Sequence, residues 1–513
     1  MTTESRHRPN GKQGTSAMHL STTRGAATMR MLLLASAAAL AATTATPGLA
    51  SAQTLPAPQP QTTLAAPQLQ TLVKPNGGAS QSTNNNSQAA DLPGSVANPT
   101  PGSFVVRLNG GVWTEFDVSG SSANDASVTK GTTTTLGKLN TQNMATFIRL
   151  YPGFDAMAAN GLRYGAAVEI RENFVGNATT TNSNGASGVT SGQTLYVRRA
   201  FLYLATDQAG ILRIGQADGV TGLMDNGVVT FKNFDTGGWT GDHFPIPSNM
   251  VVTFPFFTGH TAEYGNAKFV YLSPQFGGVD LGLQYAPNAG NGAYSCAYAG
   301  AVSATAGTCP ALSSSSTLGD GARFTNQYVA GARYQGSFGP VGVYAVGTYT
   351  GSGSIDYTGP APASAAIGGY NGKFDDLSVG FVGGTVTYAG LTVGGSLQGG
   401  RFNGSYALQP ENGVHGRAWL AGAQYAAGPL VAGVSFFNYQ SQGAVALTNI
   451  SQRSENGLDV GGTYNIAPGL WGFAQYLYGT RHQGNFDFVA ATTGAANNNV
   501  QAQILILGTK VRW

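Results

Sequence analysis

The chain ends Ile504-Leu-Ile-Leu-Gly-Thr-Lys-Val-Arg-Trp513, an alternating run that stops on an aromatic residue. Counting back in twos from Trp513 meets Val511, Thr509, Leu507 and Leu505. The other parity meets Arg512, Lys510 and Gly508. Successive side chains of a strand point to opposite faces, so one face suits lipid and the other suits water. That split constrains the chain to a β architecture with two different environments.

Composition agrees. Glycine supplies 74 of 513 residues, and charged residues only 10%, against about 25% in an ordinary globular chain. Disorder pairs low hydrophobicity with high net charge, but 42% of this chain is hydrophobic. Beyond residue 52, no stretch has the roughly 18 continuous apolar residues of a membrane helix. Glycine, tyrosine, threonine and valine in alternation predict many β-strands.

The net charge of +3 misleads. Of 26 basic and 23 acidic residues, five and one lie in residues 1–30, and 31–52 carry none, which leaves 21 and 22. The basic balance is therefore no sign of a nucleic-acid partner, and any charge selectivity must come from placement. The apolar run Met31–Ala42 follows Arg24 and Arg30 and precedes the small-x-small site Ala50-Ser51-Ala52. This reads as a cleaved secretory signal peptide, too short to be a spanning anchor. Met18, Met29 and Met31 are alternative starts. An exported chain meets an oxidising compartment, so Cys296 and Cys309, its two cysteines, are expected to form a disulfide.

Residues 53–102 are rich in Pro, Gln, Asn, Ser and Thr and read as a flexible periplasmic tail. From Ser103 to Trp513 the pattern gives sixteen candidate strands, roughly 103–118, 143–154, 161–175, 193–206, 209–217, 261–273, 278–286, 324–336, 339–350, 374–388, 390–402, 414–427, 429–441, 453–466, 469–483 and 501–513. The gaps between them alternate without exception, long then short. A soluble sandwich or propeller has no reason to sort its loops by length. A transmembrane antiparallel β-barrel with short periplasmic turns and long outer loops does. In that barrel Trp513 is the closing aromatic. Tyr334, Tyr388, Tyr425 and Tyr464 each end a descending strand and are expected at the periplasmic interface.

No catalytic motif is present, and an enzyme, a cofactor or a metal site is not expected. The histidines beyond the leader, His243, His260, His415 and His482, fall in or beside proposed loops. Charge is sorted by parity instead. In the first strand Phe104, Val106, Leu108, Val112, Phe116 and Val118 oppose Arg107, Asn109, Glu115 and Asp117. Arg149, and then Arg163, Glu169 and Arg171, follow in the next two strands, with Glu172 breaking the alternation. A charge facing lipid at mid-bilayer costs roughly 2–4 kcal/mol, so these charges are expected in a lumen. Arg198, Arg213, Lys510 and Arg512 extend the set. The expected pore-lining bases are thus Arg107, Arg149, Arg171, Arg198, Arg213, Lys510 and Arg512. The bland alternative is an interior that is merely solvated and ion-paired.

The gap 218–260 is the longest, and carries Asp218, Asp225, Asp235 and Asp242 beside Phe231, Phe234, Trp239 and Phe244. Exposed apolar clusters are rare without a purpose, so the loop is expected to fold inward and set carboxylates opposite the arginines. The alternative is a surface loop packed on a neighbouring subunit.

Three segments carry a family likeness. Val197-Arg-Arg-Ala-Phe-Leu-Tyr-Leu204 with Gly210-Ile-Leu-Arg-Ile-Gly-Gln-Ala-Asp-Gly219, then Tyr264-Gly-Asn-Ala-Lys-Phe-Val-Tyr-Leu-Ser-Pro-Gln-Phe-Gly-Gly278, then the terminal strand, resemble in order the Gram-negative general porins. The resemblance implies a trimeric, sixteen-stranded barrel in the outer membrane with an inward third loop. It would pass small hydrophilic solutes and ions by passive diffusion and engage barrel-assembly machinery through its terminal strand. Outer-membrane lipid and two sister subunits are the other expected partners. Asp225, Asp235 and Asp242 are the expected constriction-loop acids, although the family's Pro-Glu-Phe-Gly-Gly segment is missing. The family's basic residue early in the strand after the loop is expected to be absent, with Glu263 or Tyr264 in its place. A substrate-selective channel for sugars or organic acids, and a structural or adhesive barrel with a plugged lumen, are the competing readings.

Overall fold

The computed structural model describes residues 99–122, 125–130, 133–138, 140–173, 195–224, 266–288, 314–315, 323–359, 372–404, 406–444, 450–490 and 492–513. Sixteen strands close into one barrel. They are β1 Ser103–Ser121, β2 Gln142–Met157, β3 Arg163–Asn173, β4 Tyr196–Thr206, β5 Gly210–Gln216, β6 Ala267–Leu272, β7 Val279–Asn288 and β8 Phe324–Phe338. They continue with β9 Val341–Ser354, β10 Ser378–Tyr388, β11 Leu391–Arg401, β12 Gly416–Ala427, β13 Leu430–Ser441, β14 Arg453–Ala467, β15 Leu470–Gln483 and β16 Asn499–Arg512. Each pairs antiparallel with its neighbours in sequence, and β1 pairs with β16 from Gly111–Arg512 to Ser121–Ala502. The expected strand count is met and most boundaries agree within a few residues. The sixth strand is shorter at its start, at Ala267 instead of 261. Three small pairings in the loops carried no sequence signal: Asp125–Lys130 with Thr133–Lys138, Ser314–Ser315 with Asp356–Tyr357, and Phe486–Asp487 with Thr492–Thr493.

Among the described residues no helix is long and apolar enough to cross a membrane; the strands do so. Their outward parity forms an apolar belt, with Val106 70% and Leu397 60% exposed in the isolated chain. Tyr388, Tyr425 and Tyr464 are exposed at the short-turn end, as expected of an interfacial aromatic girdle. At the opposite rim the outward side chains turn polar and bond across strands: Arg417 to Gln440 at 2.6 Å, Asn438 to Asn456 at 2.7 Å and Tyr478 to Gln501 at 3.1 Å. The apolar belt lies between these two boundaries. At the short-turn end, the β10–β11 hairpin needs two positive φ angles, supplied by Ala389 at 47° and Gly390 at 86°. Such a turn matches the right-handed twist of the strands it joins.

Trp513 extends the closing seam by one more pair. The backbone N–H and carbonyl of Trp513 bond to Gly110 at 3.1 Å each. The Trp513 ring lies across Gly110, where a Cβ would fall 2.7 Å from Trp513 Cζ2. Gly110→Val should overpack this seam by about 1–3 kcal/mol. A several-fold smaller fraction of heat-modifiable, folded barrel in detergent is the expected outcome; an unchanged fraction would show that the ring moves aside freely.

Candidate functional site: the lumen wall

The inward parity carries the charge. Arg107 pairs with Asp155, whose other oxygen accepts the Tyr203 hydroxyl at 2.5 Å. Arg149, Arg171 and Arg213 are buried on β2, β3 and β5. Lys510 and Arg512 occupy the inward parity of β16, with Lys510 buried. These six of the seven expected basic residues lie on the lumen side, and the seventh, Arg198, reaches it through a bulge.

The densest cluster depends on a feature no periodicity predicts. The β3–β4 pairing slips between Glu169 and Ile170, so that Glu169 meets Arg199 while Ile170 meets Val197. Arg198 is the extra residue of a β-bulge, which re-aims the side chains around it. Two consecutive arginines thereby reach one carboxylate. Glu169 accepts Arg171 at 2.5 Å, Arg198 at 2.6 Å and Arg199 at 2.7 Å. Asp218, just beyond β5, takes Arg198 at 3.1 Å and also Arg199. Charges withdrawn from water persist only when paired and hydrogen-bonded, and this cluster satisfies that with three bases on two acids. Strict alternation, continued from the buried Phe201 and Tyr203, admits Arg199 alone, and the bulge adds Arg198; Arg199 is the residue that sequence reasoning missed.

A second group stacks cations on rings. Across β15, β16, β1 and β2 the inward positions Trp471, Lys510, Trp113 and Phe147 stand in lateral register. One step toward the short-turn end Arg512, Gly111, Arg149 and Arg171 form the next row. Trp113 stacks on Phe147 at 5.2 Å, with Lys510 Nζ 4.5 Å and the Arg149 guanidinium 5.0 Å from its ring centre. Arg512 lies 4.6 Å over Trp471. A ring face attracts a cation by roughly 0.5–2 kcal/mol, most where water is excluded. Gly111 stands between Arg512 and Arg149 of this row, where a Cβ would fall 3.3 Å from Arg512 Cγ.

The loop after β5 begins inward. Helix α1, Val220–Met224, is wholly buried against β6–β9. Its Val220 N–H donates to Gln284 Oε1 at 2.8 Å, Thr221 bonds Thr348 at 3.1 Å, and the Tyr344 hydroxyl donates to the Met224 carbonyl. Gly282 and Gly331, directly paired on β7 and β8, make the notch that admits it. A Cβ on Gly282 would sit 2.7 Å from Val220 and 2.8 Å from Met224, and one on Gly331 3.0 Å from each. Beside the notch Arg333 forms a two-pronged pair with Asp280 at 2.9 and 2.6 Å. Asp225, Asp235, Asp242, Cys296 and Cys309 lie outside the described residues.

One expectation is corrected. A basic residue does stand early in the strand after the loop: Lys268, second in β6, is 2% exposed and donates to the Ala217 carbonyl at 3.0 Å. Pairing with β5 and β7 starts the strand at Ala267 instead of 261, which moves its early position from Glu263 or Tyr264 to Lys268.

At the long-loop end Arg481 pairs with Glu455 at 2.8 Å, and Arg453 lies 5.4 and 5.2 Å from the Phe486 and Phe488 rings. Between them, Asp487 caps its own turn. Burial raises its carboxyl, but the Ala490 and Val489 N–H groups and the Asn497 amide outweigh that and hold it below the ordinary aspartate range. The inward faces of β9–β13, by contrast, carry no charge among the described residues. They present Thr348, Thr350, Thr392, Ser396, Gln398 and Ser435. The two bases of those strands, Arg401 and Arg417, lie on the outward parity at the rim, opposite Ser378 and Gln440.

A closed sixteen-stranded barrel with an apolar outer belt and a polar, charged interior defines a membrane channel of the wide β-barrel class. The chain matches the profile of the Gram-negative porin family over residues 36–483. It belongs to that family and is an outer-membrane porin. Among solved structures it is similar to a loop-deletion form of OmpT, an outer membrane protein of Vibrio cholerae, at 15% identity, 80% coverage of this chain, 99% of that chain and TM-score 0.42. It is also similar to a triple mutant of Rhodopseudomonas blastica porin, at 11% identity, 80% and 100% coverage and TM-score 0.39. No curated protein sequence matches it significantly.

Proposed function

We propose that the protein is a homotrimeric, passive diffusion pore for small hydrophilic solutes and ions. Its charge preference would be set by Arg107, Arg149, Arg171, Arg198, Arg213, Lys510 and Arg512 acting against Asp225, Asp235 and Asp242 of the loop after β5. The observation that carries this reading is the segregation of lumen charge. Inward charges crowd β1–β8 and β14–β16, while β9–β13 present hydroxyls and amides. A water-filled gap walled in this way holds a strong transverse field, less screened than an open surface. The inward start of the loop at Asp218 and α1 supports placing its later acids opposite the bases.

The same reading makes residues 1–52 a leader removed on export, residues 53–102 a periplasmic tail, and Cys296–Cys309 a loop disulfide. Trp513, the closing aromatic, would present the terminal strand to the assembly machinery. The lipid contact falls on the outward apolar belt. No catalytic step is assigned to it.

Single-channel recording of the refolded mature protein tests this. Ohmic steps in groups of three are the expected result, with a reversal potential under a salt gradient whose sign reports whether bases or loop acids dominate. Folded barrels that never conduct would overturn it.

A further inference from the structure

The described acids on the inward parity nearly all have partners. Asp155 has Arg107 and Tyr203, Asp280 has Arg333, Glu455 has Arg481 and Asp459 has Gln475 at 3.0 Å. Glu169 and Asp218 share the arginine cluster, and Glu115 is engaged as well. Asp117 is the exception among the described residues. It is 0% exposed, and neither carboxylate oxygen has a hydrogen-bond partner. A carboxylate withdrawn from water is costly unless a cation or donor meets it.

Its place on β1 says what kind of cation. Ascending the inward face of β1, Gly111 is level with Arg512 and Arg149, Trp113 with Lys510, and then come Glu115 and Asp117. The column is therefore cationic toward the short turns, aromatic in its middle and anionic toward the long loops. Lys510 and Asp117 are four strand positions apart, which is about 13 Å at the usual rise. Three extended peptide residues span about 10 Å, and a charge-assisted contact of about 2.8 Å at each end spans the remainder.

We propose that this column is a subsite for small zwitterions of tripeptide length. It would hold the carboxylate at Lys510 and Arg512 and the ammonium at Asp117. The proposal rests on the channel reading and adds to it an orientation and a solute class. A single amino acid is too short to reach both ends, and a plain anion meets only one.

The test is block of single-channel current by triglycine, compared with N-acetyl-triglycine, triglycine amide and glycine. Triglycine should block about tenfold more tightly than either capped form, since each cap removes one charge-assisted contact. Glycine should block no better than the capped peptides. Asp117→Asn, nearly equal in volume, should bring triglycine down to the level of its N-acetyl form. Should that variant fail to insert, the capped-peptide series on the unaltered protein decides alone. Equal block by all four solutes, or full triglycine block in Asp117→Asn, overturns the proposal. Channels that conduct but show no such preference would sink this inference and leave the porin reading standing. Absence of any channel would sink the reading beneath it.

Discussion

Exchanging Glu169 for glutamine is expected to be the most damaging single change in the lumen wall. The carboxylate is fully buried and receives Arg171, Arg198 and Arg199. Asp218 still engages Arg198 and Arg199, so Arg171 loses most. Breaking a buried pair by removing one partner costs about 3–5 kcal/mol, because the stranded charge keeps its desolvation penalty. The midpoint of denaturant unfolding of the folded barrel should fall accordingly, and the reversal potential should move toward anions. Replacing the whole cluster with apolar residues should cost less than removing Glu169 alone, since no charge would then be stranded. If Glu169→Gln matches the parent in both measurements, the cluster is solvated and its ion pairs contribute little.

The second large effect should come from the glycine notch. Gly331→Leu places a side chain where Val220 and Met224 of α1 already sit. Overpacking of a filled site costs about 1–3 kcal/mol, and α1 is held by few bonds, chiefly to Gln284, Thr348 and Tyr344. The segment should leave the wall before the barrel opens. The expected outcome is a changed channel conductance with new protease sensitivity near Met224, in a barrel that remains heat-modifiable. Gly282→Leu should act alike through the same two side chains. Unchanged conductance in both would mean that α1 does not shape the conducting path.

Much of this was legible in the chain. Alternation on β1 assigns Arg107, Glu115 and Asp117 to one face and Val106, Leu108 and Phe116 to the other, and the barrel keeps both assignments. Loop lengths disclose the antiparallel order because a short turn can join only adjacent strands. The last strand shows its own lipid-facing and lumen-facing parities, and it pairs with the first strand. These are local properties, fixed by a side-chain period of two and by turn geometry.

What the chain alone did not disclose depends on register between strands. The bulge that brings Arg198 beside Arg199 exists only in the pairing of β3 with β4, and Arg-Arg by itself reads as one residue in and one out. Lys268 became visible as a lumen base only when β7 and β5 fixed where β6 begins. Gly282 and Gly331 are two glycines among 74 until direct pairing makes them one notch for α1. Sequence determined which face each strand shows to lipid and which to water, because alternation is a property of one strand. Tertiary structure decided which charges meet, because that depends on how neighbouring strands are staggered, and a slip of one residue changes every partner.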